Sequence, residues 1–351
     1  MCPPLFRMNK NAGCGKRRKQ AAPRRPNFLP TEKMPKKYFT SLVDTSVPKS
    51  ETAKFVKKFT HRRTEILRNA IADAIGGNPK FLRCARAMPP DPFTPDLTLE
   101  IRETEIPTSC GKLSAFVHAP KNCRKCAVYF HGGGWTLGRA QSKFCNDFAA
   151  GANCAVVSVD YPLAPECRFP EQPRACFEAF EYVRENAKKL GLPNGKFALA
   201  GDSSGGNIAL AVSIKLAEKS QKQADGLVLY YPVASVFEPQ NSESWRKYGR
   251  RFALDAELME SFTLAYLPKP EQRLSQYASP LLYDRLSELP PTLLVSSGCD
   301  ILRDQSRRLA KKLSKARHVE IANAAHMYIS ECHGRAYATA LRETFGFVAR
   351  L

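Results

Sequence analysis

The chain has 351 residues, of which 43% are hydrophobic and 25% are charged, so its composition excludes a fibrous or wholly disordered protein. The longest apolar run, at 226–237, is interrupted by Pro232 and is shorter than the roughly 18 residues that a membrane-spanning helix needs. The net charge of +21 is concentrated at one end. The first 68 residues hold 18 of the 54 Lys and Arg residues but only four of the 33 Asp and Glu residues.

Residues 1–47 carry much of this excess charge. They contain a basic block at 16–19 and six prolines. Self-repelling charge with few apolar side chains cannot offset the entropy lost on ordering, so we predict a basic, disordered tail at 1–47. Such a tail is compatible with contact to an acidic surface, or with a nuclear or organellar address, and the sequence does not separate these roles.

The twelve cysteines are spread from Cys2 to Cys332 without a repeating frame, and no apolar segment of signal-peptide length precedes them. This distribution predicts reduced thiols and a cytoplasmic location. Cys123 and Cys126 form a lone CxxC pair, without a second pair or a histidine at metal-ligand spacing. We therefore predict no metal site and no cofactor.

The next segment, residues 50–75, has the pattern of a helix. Ser50 is a suitable N-cap, the glycines at 76–77 supply a stop, and the apolar residues recur roughly on one face. Residues 78–97 then contain five prolines, a composition typical of a linker.

From residue 97 onward, short β-prone runs alternate with helical patterns. Runs at 97–106 and 113–119 predict an antiparallel pair, and further strands are predicted at 126–131, 155–160, 197–201, 227–231, 292–297 and 318–322. Helical patterns lie at 171–190, 204–218, 255–266, 303–314 and 336–350. This alternation predicts an α/β fold with a mostly parallel central sheet and helices on both faces.

The sequence GDSSGG at 201–206 lies between a predicted strand and a predicted helix. GxSxG alone is a weak pattern, but at a strand-to-helix turn it predicts a sharp bend that exposes Ser203 at the rim of the sheet. The start of the helix also points backbone amides at developing negative charge. Ser203 is therefore the candidate nucleophile, and the alternative is a glycine-rich turn with an incidental serine.

A second glycine-rich segment, HGGGW at 131–135, follows the β-prone run that begins at residue 126. Acyl transfer passes through an oxyanion, which needs donors fixed about 3 Å away. Consecutive glycines let backbone N–H groups converge, so these residues predict an oxyanion hole formed by Gly132, Gly133, Gly134 and Ser204. A phosphate-binding loop is the alternative, but the GxGxxG spacing and a following Lys-Ser/Thr pair are both missing.

A serine nucleophile needs a histidine base and a carboxylate that orients it, in the chain order Ser, Asp, His on this type of sheet. Asp300 follows the predicted strand 292–297 and is the best carboxylate, with Asp304 as the alternative. Three histidines come later. His318 opens a predicted strand, His333 begins the last predicted helix, and His326 lies in a small-residue loop after a strand. His326 is the predicted base, with His333 or a purely structural histidine as alternatives.

Four ordered motifs carry a family resemblance: HGGGW (131–135), YPLAPE with FP (161–166 and 169–170), GDSSGGN (201–207) and the run 300–304. Over about residues 95–351 the chain resembles the hormone-sensitive-lipase-like group of α/β-hydrolases, which includes bacterial esterases and plant carboxylesterases. The resemblance implies an α/β-hydrolase fold and a structural role for YPLAPE. It also implies which residues form the site. The triad is Ser203, Asp300 and His326, and the oxyanion hole is formed by Gly132, Gly133, Gly134 and Ser204.

The resemblance also implies how the chain is divided. A helical cap segment with a linker occupies 48–95, and a catalytic domain with a helical cap insertion at about 236–272 occupies 96–351. The sequence departs from the family pattern at two places. Met327 and Tyr328 stand where family members usually have Gly-Phe, and Pro162 replaces the common Arg. Neither departure removes a catalytic group, and Met327 and Tyr328 are candidates to reshape the pocket.

These observations predict a serine esterase that cleaves carboxylic esters with short-to-medium acyl chains through an acyl-enzyme on Ser203. An amidase, formamidase or deacetylase would use the same triad. A non-catalytic small-ligand-binding protein, similar to the plant gibberellin receptors, is a further alternative, but those receptors lack the histidine that His326 supplies here. The expected partner is a small-molecule ester, and the oligomeric state stays open. RNA or membrane binding through the tail lacks a supporting fold.

Overall fold

A central β-sheet organises the protein. The computed structural model describes residues 45–46, 48–58, 61–88, 93–237, 239–250 and 252–351. The strands in these ranges are β1 (Thr45–Ser46), β2 (Leu99–Thr108), β3 (Gly111–Pro120), β4 (Lys125–Phe130), β5 (Ala155–Val159), β6 (Lys196–Asp202), β7 (Gly226–Tyr230), β8 (Thr292–Cys299) and β9 (Ala316–Ala325). Their order in the sheet is β1-β9-β8-β7-β6-β4-β5-β3-β2. Neighbours pair in parallel except at β2–β3 and β3–β5, which are antiparallel.

Helices lie on both faces of this sheet. The helices in the described ranges are α1 (Lys49–Lys58), α2 (His61–Ile75), α3 (Lys80–Arg86), α4 (Lys143–Ala152), α5 (Glu171–Glu185), α6 (Ser204–Glu218), α7 (Glu243–Tyr248), α8 (Ala256–Tyr266), α9 (Arg303–Lys312) and α10 (Gly334–Ala349). Val128 and Phe130 of β4 belong to the core that α5 and α6 cover, whereas Ala127 and Tyr129 belong to the core under α4 and α10. Successive side chains of a strand point to opposite faces, so β4 contributes to both cores.

Burial on both faces explains the composition of the inner strands. Every residue of β5 (AVVSV) and β7 (GLVLY) is buried. A parallel strand with helices on both sides has no solvent face, so its sequence is a continuous apolar run rather than an alternation. The predicted fold class, a mostly parallel sheet with helices on both faces, is therefore confirmed.

Several elements differ from the prediction in detail. The single helix expected at 50–75 is two helices, α1 and α2, and residues 59–60 between them lie outside the described ranges. The expected linker contains α3, whose Leu82 is fully buried and anchors it. Helix α4 was not predicted, although Ser142 caps it by accepting a hydrogen bond from the Cys145 N–H (3.2 Å).

The predicted tail at 1–47 lies outside the described residues, except for the short strand β1 at its end. β1 pairs in parallel with β9 at the edge of the sheet. Within the described ranges, no helix combines the length and apolarity needed to cross a bilayer.

His118 of β3 is a buried group without a polar partner. Its side chain has no exposed surface, and neither ring nitrogen has a hydrogen-bond partner among the described residues. Burial lowers the pKa of His118 to about 4, because the charged imidazolium cannot be solvated there. The folded protein therefore holds this side chain neutral well below the pH at which an exposed histidine is protonated.

This burial predicts a pH-dependent loss of stability. Between about pH 6.5 and pH 4 the unfolded chain binds a proton at His118 and the folded chain does not, so the free energy of unfolding falls as the pH is lowered. His118→Phe removes that proton, and we expect the variant to lose about 2 kcal/mol less stability than the wild type between pH 7.5 and pH 5. Urea denaturation at the two pH values measures the difference.

The matched control is His333→Gln, because the His333 side chain is 72% exposed. That variant should keep the wild-type dependence on pH. If His118→Phe and the wild type lose the same stability on acidification, His118 is not held neutral in the folded protein.

Candidate active site

Ser203 occupies a sharp turn between β6, which ends at Asp202, and α6, which begins at Ser204. Its backbone adopts φ +53° and ψ −118°, a conformation that L-residues rarely adopt. The flanking glycines are sterically required, since a Cβ on Gly205 would lie 2.0 Å from the Phe130 carbonyl oxygen, and one on Gly201 would lie 2.4 Å from the Gly205 oxygen. The GxSxG spacing thus follows from the close approach of β4, β6 and α6.

Ser203, His326 and Asp300 form a hydrogen-bonded chain. The His326 Nε2 atom lies 2.9 Å from Ser203 Oγ, and His326 Nδ1 lies 2.6 Å from Asp300 Oδ2. The second carboxylate oxygen of Asp300 accepts the Leu302 N–H at 2.9 Å. Because a carboxylate can only accept, Nδ1 carries the proton that binds it, and Nε2 of the neutral ring is left to accept the serine hydroxyl proton. All three side chains of this chain are buried.

The parallel pairing of β8 with β9 brings the acid and the histidine together. Cys299 at the end of β8 pairs with Ala325 at the end of β9, so Asp300 and His326 leave the sheet side by side. The Tyr231 ring, which follows β7, lies 4.6 Å from the His326 ring and supports it. Tyr328 packs edge-on against Tyr231 at 5.0 Å. Tyr328 therefore packs on the residue that contacts His326 and does not itself line the cavity above Ser203.

The other candidates from the sequence lie elsewhere. His318 is inside β9, where its Nε2 atom lies 2.8 Å from Ser296 Oγ. His333 precedes α10 and is exposed. Asp304 lies in α9, where it accepts hydrogen bonds from the Ser244 N–H and from Arg303. None of these three alternatives joins the hydrogen-bonded chain at Ser203.

The glycine loop, defined as residues 131–135, differs from the prediction at Gly132. Its N–H donates to Asp202 Oδ1 at 2.7 Å and is therefore not available to a ligand. Gly133 and Gly134 have φ of +122° and +59°, and neither N–H has a protein acceptor within the described part of the chain. Ser204 is the first residue of α6, where backbone N–H groups lack intrahelical partners. Of the four predicted donors, Gly133, Gly134 and Ser204 therefore keep backbone N–H groups without a protein acceptor in the described ranges, and Gly132 does not.

Asp202 is a site residue to which the sequence analysis assigned no role. Besides the Gly132 N–H, its Oδ1 atom accepts the Tyr129 hydroxyl at 2.5 Å, and its side chain is buried. Burial raises the pKa of Asp202, while these two hydrogen bonds act in the opposite direction. The only sequence signal for this role was its position inside GDSSGG. Asp202 joins the glycine loop to the serine turn.

The YPLAPE segment supports the glycine loop from the other side. The Tyr161 hydroxyl donates to the His131 carbonyl at 2.8 Å, and the Ala164 N–H donates to the Trp135 carbonyl at 2.8 Å. The Trp135 ring stacks on Tyr266 of α8 with centroids 4.4 Å apart. These contacts agree with the structural role that the family resemblance implies for YPLAPE.

A cavity of about 770 Å³ opens above Ser203 and His326. Leu67 of α2 and Leu258 and Phe262 of α8 line one wall, and exposed apolar surface predominates over polar surface in the lining. The size is in the range of small-molecule sites. Within the described residues, no cluster of three or more His, Cys, Asp or Glu side chains could hold a metal ion.

Removing the Asp202 carboxylate should destabilise the folded protein. Asp202→Ala leaves the Tyr129 hydroxyl and the Gly132 N–H buried without a partner, and we expect a loss of about 2–3 kcal/mol in the free energy of unfolding. Tyr129→Phe is the matched control, because it removes one bond and leaves no orphaned donor, and should cost about 1 kcal/mol. Urea denaturation compares the two. Equal stability of the two variants would contradict the bridging role of Asp202.

Comparison with known proteins agrees with this geometry. A family model described as the alpha/beta hydrolase fold (Abhydrolase_3) matches residues 127–334, and the chain belongs to this hormone-sensitive-lipase-like family. The chain is 31% identical over 238 residues to an arylesterase of Saccharolobus solfataricus, covering 66% of this chain and 75% of that protein. It is 35% identical over 203 residues to an ethyl acetate hydrolase of Pseudomonas putida, covering 56% and 61%. The solved esterase of Pyrobaculum calidifontis superposes with a TM-score of 0.71 at 28% identity, covering 87% of this chain and 98% of that one.

Proposed function

We propose that the protein is a serine esterase that hydrolyses carboxylic esters through an acyl-enzyme on Ser203. The observation that carries this proposal is the hydrogen-bonded chain from Asp300 through His326 to Ser203 at the base of an apolar cavity. Similarity to an arylesterase and to an ethyl acetate hydrolase supports esters over other acyl compounds.

In the proposed first half-reaction, Ser203 Oγ attacks the carbonyl carbon of the ester while its proton passes to His326 Nε2. The Asp300 carboxylate holds Nδ1–H and stabilises the imidazolium that forms. The oxyanion accepts hydrogen bonds from the backbone N–H groups of Gly133, Gly134 and Ser204. The alcohol then leaves with the proton from His326, and the acyl group stays on Ser203.

The second half-reaction repeats these steps with water. Neutral His326 takes a proton from a water molecule, which attacks the acyl carbonyl, and the acid is released as the proton returns to Ser203. Each oxyanion-hole donor is worth about 3–4 kcal/mol of barrier. No step in this sequence calls for a metal ion or a cofactor.

We propose that a helical cap limits the size of the substrate. In this proposal residues 48–95 and the insertion at about 236–272 cover the catalytic domain at 96–351, as the family resemblance implies. The support is that α2 and α8, one from each segment, both line the cavity above Ser203. The apolar character of this wall favours uncharged acyl groups of short to medium length.

The role of Ser203 is tested by substitution of each of two adjacent serines. We expect Ser203→Ala to lower kcat for p-nitrophenyl acetate and butyrate by roughly 10⁴-fold or more, because the variant has no nucleophile. Ser204→Ala is the matched control. The change keeps the Ser204 backbone N–H and removes only the side-chain hydroxyl, so activity should stay within a few-fold of the wild type.

Two outcomes would contradict the esterase proposal. Equal, near-background rates for the wild type and Ser203→Ala would direct the search to amide and formamide substrates, and then to binding of a small ligand without catalysis. Loss of activity in Ser204→Ala with retention of activity in Ser203→Ala would show that Ser203 is not the nucleophile.

The cap assignment predicts how acyl-chain preference changes with the volume of the cavity. Leu258→Trp places a larger side chain in the cavity wall and leaves less room for a long acyl chain. We therefore expect kcat/KM to fall more for p-nitrophenyl octanoate than for p-nitrophenyl acetate. The matched control is Leu264→Trp, because Leu264 lies on the same helix and is 51% exposed. Equal loss for both esters in Leu258→Trp would mean that α8 does not border the acyl group.

A further inference from the structure

The N-terminal strap, defined as residues 45–46 and 48–58, lies against the segment that carries His326. Its strand β1 pairs in parallel with β9, Thr45 opposite Ile321 and Ser46 opposite Ala322. Its helix α1 then packs on the end of β9. β9 would be an unpaired edge of the sheet without the strap, and an unpaired edge strand frays more readily than a paired one.

Two side chains of α1 bind opposite ends of the histidine segment, residues 323–335. The Thr52 hydroxyl donates to the carbonyl oxygen of Asn323, three residues before His326. The Glu51 carboxylate accepts the N–H of Arg335 at 3.0 Å, in the first turn of α10. Consecutive residues of one helix thus connect the point where β9 ends with the point where α10 begins.

The backbone of the histidine segment depends on such external contacts. Asn323 and Met327, on either side of His326, both adopt left-handed φ, +61° and +69° respectively. Left-handed backbone costs a non-glycine residue free energy, so the surrounding structure must maintain it. Gly334 lies against the strap, since a Cβ there would be 2.5 Å from Glu51 Oε1.

We propose that Glu51 and Thr52 are positioning residues for His326. They contact neither the ester nor any reacting atom. By holding both ends of the histidine segment they fix the ring of His326 between Ser203 and Asp300. This inference rests on the proposed esterase function, because it assigns the strap a part in proton transfer at the same site.

The test compares three forms of the full chain. Glu51→Ala combined with Thr52→Val removes both hydrogen bonds, and Glu51→Gln combined with Thr52→Ser keeps an acceptor and a hydroxyl at the same positions. Lys54→Ala combined with Lys57→Ala is the matched control, because both lysines are exposed on the same helix. Each form is assayed for kcat and KM on p-nitrophenyl butyrate and for amide hydrogen exchange.

We expect the Ala/Val variant to lose roughly 10- to 100-fold in kcat with KM unchanged, since a small displacement of a proton-transfer group is costly. Amides of residues 323–335 should exchange about fivefold faster or more, while those of β8 keep their protection. The Gln/Ser variant and the lysine control should match the wild type in both measurements.

Three results would overturn the proposal. These are unchanged exchange at 323–335 in the Ala/Val variant, faster exchange with wild-type kcat, and failure of the Gln/Ser variant to retain the wild-type kcat. The exchange measurement reports on the strap even if the wild type hydrolyses no ester, so failure of the positioning role and failure of the esterase proposal are distinguishable.

Discussion

Parallel pairing of β4 and of β6 through β9 is the constraint on which the rest of the structure depends, because it ends these strands at one edge of the sheet. The glycine loop follows β4, Ser203 follows β6, Asp300 follows β8 and His326 follows β9. Ser203 and His326, which are 123 residues apart in sequence, thus meet within hydrogen-bond distance without either of them lying on a long loop. The helices on both faces exclude water from these strands, and the apolar composition of β5 and β7 follows from that burial.

Buried polar groups then determine how the strand ends are connected. Asp202 binds the Gly132 N–H and the Tyr129 hydroxyl, so a carboxylate beside the serine also holds the loop that follows β4. A buried carboxylate is stable only when hydrogen bonds replace its hydration. Gly133 and Gly134 also line the cavity, but their N–H groups make no such bond within the described residues.

The basic N-terminal part of the chain contributes to the site at several points. The strap pairs with β9, α2 lines the cavity, and Arg86 of α3 donates to the carbonyl oxygen of Thr136 at 2.8 Å, just after the glycine loop. These elements precede the residues that the family model matches, yet they contact both the histidine segment and the residue that follows the glycine loop. Ser203, Asp300 and His326 therefore all lie in the region that the family model matches, and elements that precede this region complete their surroundings.

Much of the fold and of the site followed from the sequence alone. The alternation of strands and helices, the turn at Ser203 and the choice of Asp300 and His326 over Asp304, His318 and His333 depend on local patterns and chain order. Backbone sterics and hydrophobic periodicity act over a few residues, so the sequence displays them directly. Tertiary structure alone decided that Gly132 binds Asp202, that β1 pairs with β9, and that Thr52 reaches Asn323. These contacts join residues 70 or more positions apart, and no local pattern records which distant group will lie opposite another once the sheet has formed.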